Sequence, residues 1–293
     1  MITSELLRIR YSLTSKILLT LVLLEALLVG LLLADLPSLI DGVIALNEVI
    51  PNATNADQFS DEQLAALTLA SSPFQVLISD VLGNTGIGTS LPVIAATLFG
   101  ALTITGEFRR GSVTNAALHQ PLRAKLILTK ATAIAATAFA AAIVLIVVRG
   151  GVLAIGLAVQ GEPLLIEMPE LLTVWARGII ALLAYSLLGL GLGLLVRNQV
   201  ATVSVIFAVI VGESILRPLA LLIFGGINPT LYLPFGLVPD IIGSNPLAVL
   251  GTSASLTASL SSLVALVTLT LWAGAVVGLA VFRFARTDIP SST

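Results

Sequence analysis

Cysteine is absent from the 293 residues, and histidine occurs once, as His119. No disulfide framework, thiolate nucleophile, cysteine metal site or multi-histidine metal site can be built from such a chain. Charge is scarce as well. Only 10% of residues are Asp, Glu, Lys or Arg, against about 25% in a soluble domain. A chain so poor in charge cannot cover a water-facing surface. The formal net charge of -2 excludes a broad nucleic-acid surface. Lysine occurs at positions 16, 125 and 130 only, after Ser15, Ala124 and Thr129. No Gly-Lys pair exists, so the chain has no P-loop to cradle a nucleotide phosphate. No stretch alternates in the manner of membrane β-strands.

What remains is apolar: 57% of residues are hydrophobic and the mean hydropathy is +1.08. About 20 consecutive apolar residues span a bilayer as a helix. Six segments qualify: Lys16–Ala34, Ile87–Thr105, Leu126–Val148, Leu172–Val196, Val200–Phe224 and Leu260–Phe282. The expected fold is therefore an all-α membrane protein with six transmembrane helices in a single domain, 1–293. The first span carries Glu25 and is followed by no small-x-small cleavage site, so it reads as a retained helix rather than a signal peptide.

The basic residues orient it. With the N-terminus in the cytoplasm, eleven of the fourteen fall in cytoplasmic segments, among them Arg8, Arg10, Lys16, Arg109, Arg110, Arg123, Lys125 and Lys130. The other three are Arg149, read as an outer helix end, and Arg177 and Arg217 within spans. Segment 35–86 holds seven acids and no base. The positive-inside rule then puts both termini in the cytoplasm of a multi-pass protein of the cell membrane.

The connections carry their own signals. Ser4–Ser15 mixes Leu6, Leu7, Ile9 and Leu13 with Glu5, Arg8 and Arg10, which suits a short helix on the membrane surface; a plain basic flank orienting the first span is the alternative. Segment 35–86 reads as a small outer cap, with a helical stretch over Asp61–Leu82 broken at Pro73. Segment 225–259 holds Pro229, Pro234, Pro239 and Pro246 and yet stays apolar. Proline at that density forbids a continuous span. Broken apolar backbone at membrane depth must pack against protein or line a cavity, so short re-entrant or interfacial helices are expected before the sixth span.

Three intramembrane charges draw a functional reading. Glu25 lies in the first span, and Glu213 and Arg217 lie four residues apart on one face of the fifth. Either Glu213 and Arg217 satisfy each other, or Glu25 and Arg217 bracket a polar path. Glycine pairs Gly189/Gly193 and Gly274/Gly278 have the small-xxx-small spacing that allows close helix approach.

The densest cytoplasmic charge lies in GEFRRGSVTNAALHQPLRAKLILTK, residues 106–130. Ser112 can cap a helix over Val113–Leu118, and Pro121 stops it. A short helix held between two spans is a lever open to a cytoplasmic partner; a basic loop that only sets topology is the other reading. The order Glu107-Phe108-Arg109, Gly111-Ser112, Leu118, Pro121, Arg123 and Lys130 resembles the Glu-aromatic-Arg-x-Gly-Thr/Ser and Leu-x-x-Pro-x-Arg elements of permease subunits of ABC type-2 exporters, with Ser112 where Thr is commoner. The match covers about 25 residues, with the six-span layout as its architectural support.

The resemblance implies that this loop is a coupling helix docking a separate ABC ATPase subunit. Glu107, Phe108, Arg109, Gly111, Ser112, Leu118, Pro121 and Arg123 would be docking or lever residues, not catalysts. It further implies a second permease, a copy of this chain or a relative, with ATP and Mg bound on the partner subunits and no cofactor or metal on this one. An intramembrane enzyme is disfavoured, because His119 and the lysines all fall at cytoplasmic positions, away from any membrane-buried serine. An ion-coupled secondary transporter using Glu25 and Glu213 is the alternative; no internal repeat accompanies it. Apart from protein partners, membrane lipids are expected to contact the chain.

Overall fold

The computed structural model describes residues 2–36, 38–39, 68–84, 89–110, 123–224, 229–243 and 260–286. These are mostly helical, and no strand occurs among the described residues. The elements are α1 (Ile2–Tyr11), α2 (Leu13–Ala34), α3 (Ser72–Ser79), α4 (Leu91–Arg109), α5 (Arg123–Gln160), α6 (Met168–Val196), α7 (Gln199–Phe224), α8 (Val238–Ile242) and α9 (Ser262–Arg286). Two 3-10 turns, Pro229–Tyr232 and Pro234–Gly236, precede α8. Helices α2, α4, α5, α6, α7 and α9 are long and apolar enough to cross a membrane. All six expected spans are present as helices.

Their ends follow local chemistry. Between α1 and α2 the chain turns at Ser12, whose hydroxyl accepts from the Ser15 N–H at 3.4 Å. Helix α4 opens at Leu91, after Ser90 and with Pro92 in its first turn, rather than at the expected Ile87. Proline's fixed φ and missing N–H suit a first turn. The helix also runs on through Arg109 instead of stopping at Thr105, so Glu107 and Arg109 stand on its last turn. Pro73 likewise opens α3; the expected break at that residue is a start, for the same reason. Of the stretch expected over Asp61–Leu82, residues 61–67 lie outside the described ones.

The largest departure is α5. The sequence suggests a span ending at Val148, but the helix continues through Arg149, Gly150 and Gly151 to Gln160. Its 38 residues rise about 57 Å, well beyond the roughly 30 Å of a hydrocarbon core. Arg149 thus sits inside a helix, not at an outer end. At the other tight connection, α6 ends at Arg197 in the left-handed region (φ 59°), and Asn198 caps α7 by accepting from the Ala201 N–H at 3.1 Å.

Helix α6 is the centre. In its most apolar window 61% of residues are buried, against 22% in each of α2, α7 and α9. Helices α4, α5 and α9 pack around it. The α4 contact is close because it is built on glycine: a Cβ at Gly100 would overlap the Ser186 carbonyl, and one at Gly189 the Thr97 carbonyl. The peripheral helices expose Leu24, Leu28, Val211, Ile215, Leu263 and Leu271, a surface suited to lipid or partner helices.

Candidate functional site: three buried charge clusters

Helix ends gather the first cluster. The C-terminal turn of α4, the N-terminal half of α5 and α1 meet where Glu107 is 2% exposed. Its carboxylate takes Arg8 Nη1 at 3.0 Å on one oxygen and Lys130 Nζ on the other. Lys130 also reaches Glu5 Oε1 at 3.0 Å. Two acids and two bases so alternate in a chain that ties α1 to both helices flanking residues 111–122. The two buried members, Glu107 and Lys130, pair with each other, and each takes a second partner from α1.

This places the residues of the loop motif individually. Glu107 faces inward into the cluster. Phe108 is half-buried, edge-on to Phe284 of α9 with ring centroids 6.5 Å apart. Arg109 is exposed. Arg123 opens α5. Gly111, Ser112, Leu118 and Pro121, and the helix expected over Val113–Leu118, lie outside the described residues.

The second cluster lies where α2, α5 and the turn after α3 meet. Glu25 presents both carboxylate oxygens to Arg149 Nη2, each at 3.0 Å, and Arg149 is 1% exposed. The continuation of α5 beyond Val148 delivers Arg149 to Glu25, while Arg217 makes its hydrogen bonds in the third cluster. Beside them, Asp80 is fully buried and accepts from the Leu82 and Asn84 N–H groups at 2.8 Å each. Burial pushes the Asp80 carboxyl up to about 6, the two backbone donors and Arg149 opposing the rise and Glu25 adding to it. Gly83, at φ 64°, lets the turn lie against the pair: a Cβ there would stand 2.9 Å from Arg149 Nη2. Trp175 of α6 closes the site by donating Nε1–H to the Ser79 carbonyl at 3.1 Å.

The third cluster holds the broken segment before α9. Glu213 Oε2 accepts from the N–H groups of Phe235 and Gly236 at 2.9 and 3.1 Å. Arg217 Nη2 donates to the carbonyls of Leu231 and Leu233 at 3.2 and 3.4 Å. Glu213 and Arg217 therefore share a helix face but spend their hydrogen bonds on backbone that the 3-10 turns leave unpaired. Among the described residues they form no ion pair with each other. Tyr185 of α6 donates to the Pro234 carbonyl at 2.6 Å and stacks on Phe235, and Trp272 of α9 donates to the Tyr232 carbonyl at 2.9 Å. A side chain at Gly236 would displace the Arg217 guanidinium, which occupies that space. Burial holds Asp240, in α8, above the usual carboxylate range, with Arg217 opposing.

Several participants escape a reading of the sequence: Arg149, Asp80, Tyr185 and Gly236. For Arg149 a signal existed, since Glu25 lacks an i±4 partner and an arginine at membrane depth needs one. No residue spacing points to Asp80, Tyr185 or Gly236, which are brought in by tertiary packing alone. Among the described residues no group of three or more His, Asp or Glu is arranged to hold a metal ion.

No protein-family model matches the chain, and no curated protein matches it either.

Proposed function

We propose that the chain is the permease subunit of an ATP-driven exporter of the ABC type-2 kind, working with a separate ATPase subunit and a second permease. The reading rests on one observation above the rest. The segment 111–122 that carries much of the motif is flanked by members of a single charge cluster: Glu107 before it and Lys130 after it are ion-paired, and Arg8 and Glu5 extend the pairing to α1. A push on this segment from a cytoplasmic partner would reach α1, α4 and α5 together, because the buried Glu107 and Lys130 pair with each other and with α1. Arg109, exposed beside this cluster, is the residue offered to the partner; Glu107 holds the lever's base.

In this reading α1 lies along the cytoplasmic face, both termini are cytoplasmic, and segment 229–243 is a membrane-embedded lid held by Glu213 and Arg217. The sequence has no Gly-Lys P-loop, and in this reading ATP and Mg belong to the partner. The cargo is amphiphilic, in keeping with the apolar faces of the spans. Glu25 and Glu213 are committed to Arg149 and to backbone N–H groups, which weighs against their use as proton carriers in an ion-coupled transporter.

Affinity capture of the chain from its native membrane, with the co-purifying proteins identified by mass spectrometry, tests the reading: a P-loop ATPase is expected among them. Arg109→Glu is expected to abolish association while leaving the permease folded. Unchanged association would overturn the docking role. Transport that survives ATP depletion and follows a proton gradient would replace the exporter with the ion-coupled alternative.

A further inference from the structure

A cleft of about 550 Å³ opens on the flank of the bundle between α1, α2, α4 and α5. Its walls are apolar, with Leu19 from α2, Phe99 from α4 and the exposed Ala136 and Ala140 from α5. The alanines stand four residues apart on one face, and their small side chains leave the groove unfilled. Along α5 the lining runs from Ala136 to Leu145, a rise of about 14 Å. That is close to half of the roughly 30 Å hydrocarbon core, the depth of one leaflet.

Two cations line the α1 end of this cleft, Arg10 and Lys16. Both are exposed. Among the described residues neither forms an ion pair; Lys16 has the Tyr11 ring at 5.8 Å from its centroid. Their neighbours Arg8 and Lys130, by contrast, are bound to Glu107. The Ser12 turn between α1 and α2 is what brings Arg10 and Lys16 to the same mouth. An apolar slot one leaflet deep, capped by two cations, has the charge and the length of an anionic lipid.

We propose that this cleft binds an anionic phospholipid of the leaflet bordering α1, with an acyl chain along Ala136 and Ala140 and the phosphate between Arg10 and Lys16. The site depends on neither the transport reading nor the sidedness of the chain. It sits apart from Glu25–Arg149 and from the Glu213–Arg217 clamp.

Native mass spectrometry of the full chain, released from detergent with added dioleoyl phosphatidylglycerol or dioleoyl phosphatidylcholine, tests it. The glycerol lipid is expected to be retained about thirtyfold more than the choline lipid, the scale set by two cations near one headgroup. Arg10→Gln with Lys16→Gln should bring the two lipids to parity. Ala140→Phe should displace both; since Ala140 is exposed, the larger ring fills the slot without repacking the bundle. Glycerol phosphate, which has the anion but no chain, should not compete. Parity in the unaltered chain would overturn the proposal. So would a preference that persists in the double variant or in Ala140→Phe, or competition by glycerol phosphate as strong as that of the whole lipid.

Discussion

Gly189 and Gly193 in α6 and Gly274 and Gly278 in α9 have the same spacing and opposite surroundings. In α6 a Cβ on Gly189 would overlap the Thr97 carbonyl, and one on Gly193 would stand 2.5 Å from Ile104 Cγ2 and 2.9 Å from the Ala101 carbonyl. In α9 neither glycine has anything within 4 Å of its Cβ position. Helix α9 is packed instead through the stripe Ala265, Leu269, Ala273 and Ala280. Where it meets α6 the small residue is Gly191, whose Cβ would lie 2.8 Å from Val276 Cγ1. Small-xxx-small spacing therefore says that a helix can be approached closely; which face is approached is decided by how many neighbours the helix has.

The largest expected effect follows from the α6 side. Gly189→Val forces α4 and α6 apart at backbone level, where no rotamer change relieves the contact. The loss should exceed the about 1–3 kcal/mol of ordinary overpacking. Thermal unfolding in detergent, or the yield of folded protein, measures it. A variant that melts with the parent would mean that α4 and α6 do not pack as tightly as described.

Charges show the same contrast between residues turned in and residues turned out. Arg149 is buried against Glu25, whereas Arg10 is open at a cleft. Arg149→Met leaves the Glu25 carboxylate, 14% exposed, without its partner, at a cost of about 3 kcal/mol. Glu25→Gln with Arg149→Met should recover a large part of that loss, since the penalty belongs to the unpaired charge rather than to the missing pair. Arg10→Gln is expected to be near neutral for stability. If Arg149→Met and Arg10→Gln destabilise equally, burial is not what separates them.

Asp80 adds a pH dependence to the buried side. Its carboxyl is raised from 3.8 to about 6 in the folded chain, so the folded state holds its proton more firmly than the unfolded state. The stabilisation is complete below pH about 4 and is lost as pH rises through about 6, on the order of 3 kcal/mol in all. Asp80→Asn, which cannot ionise, should flatten unfolding midpoints across this window relative to the parent. Parallel profiles for the two proteins would show that Asp80 does not titrate there.

How far the sequence reaches can be seen residue by residue. Apolar runs of membrane length locate all six long helices, because lipid as solvent demands continuous apolar surface and internally paired backbone. Ends are less legible: Pro92 and Pro73 begin helices that a rule of proline as breaker would stop, and Arg149 looks like a terminus until α5 is seen to continue. Partnerships are least legible. Glu213 and Arg217 satisfy the i,i+4 rule and yet turn to a segment some twenty residues on, since backbone left unpaired by Pro229 and Pro234 is the more pressing need at that depth. The Glu107–Lys130 link bridges loop-flanking residues that the motif names for another purpose, and no local pattern announces it.

The smallest expected effect returns to α9. Gly278→Val places a side chain into open space and replaces the poorest helix former but proline, so the change in stability of the single chain should lie within about 0.5 kcal/mol. Van der Waals packing between membrane helices is steep, however, and a β-branched side chain on a covered face would be felt at once. The variant therefore reads the surroundings of α9 in the assembled protein. An unchanged melting temperature in the native membrane keeps Gly274 and Gly278 facing lipid, and the two glycine pairs remain opposites. A loss there of more than about 1 kcal/mol, absent from the detergent-isolated monomer, would show that another helix covers this face. The α9 pair would then serve between chains the purpose that Gly189 and Gly193 serve within one.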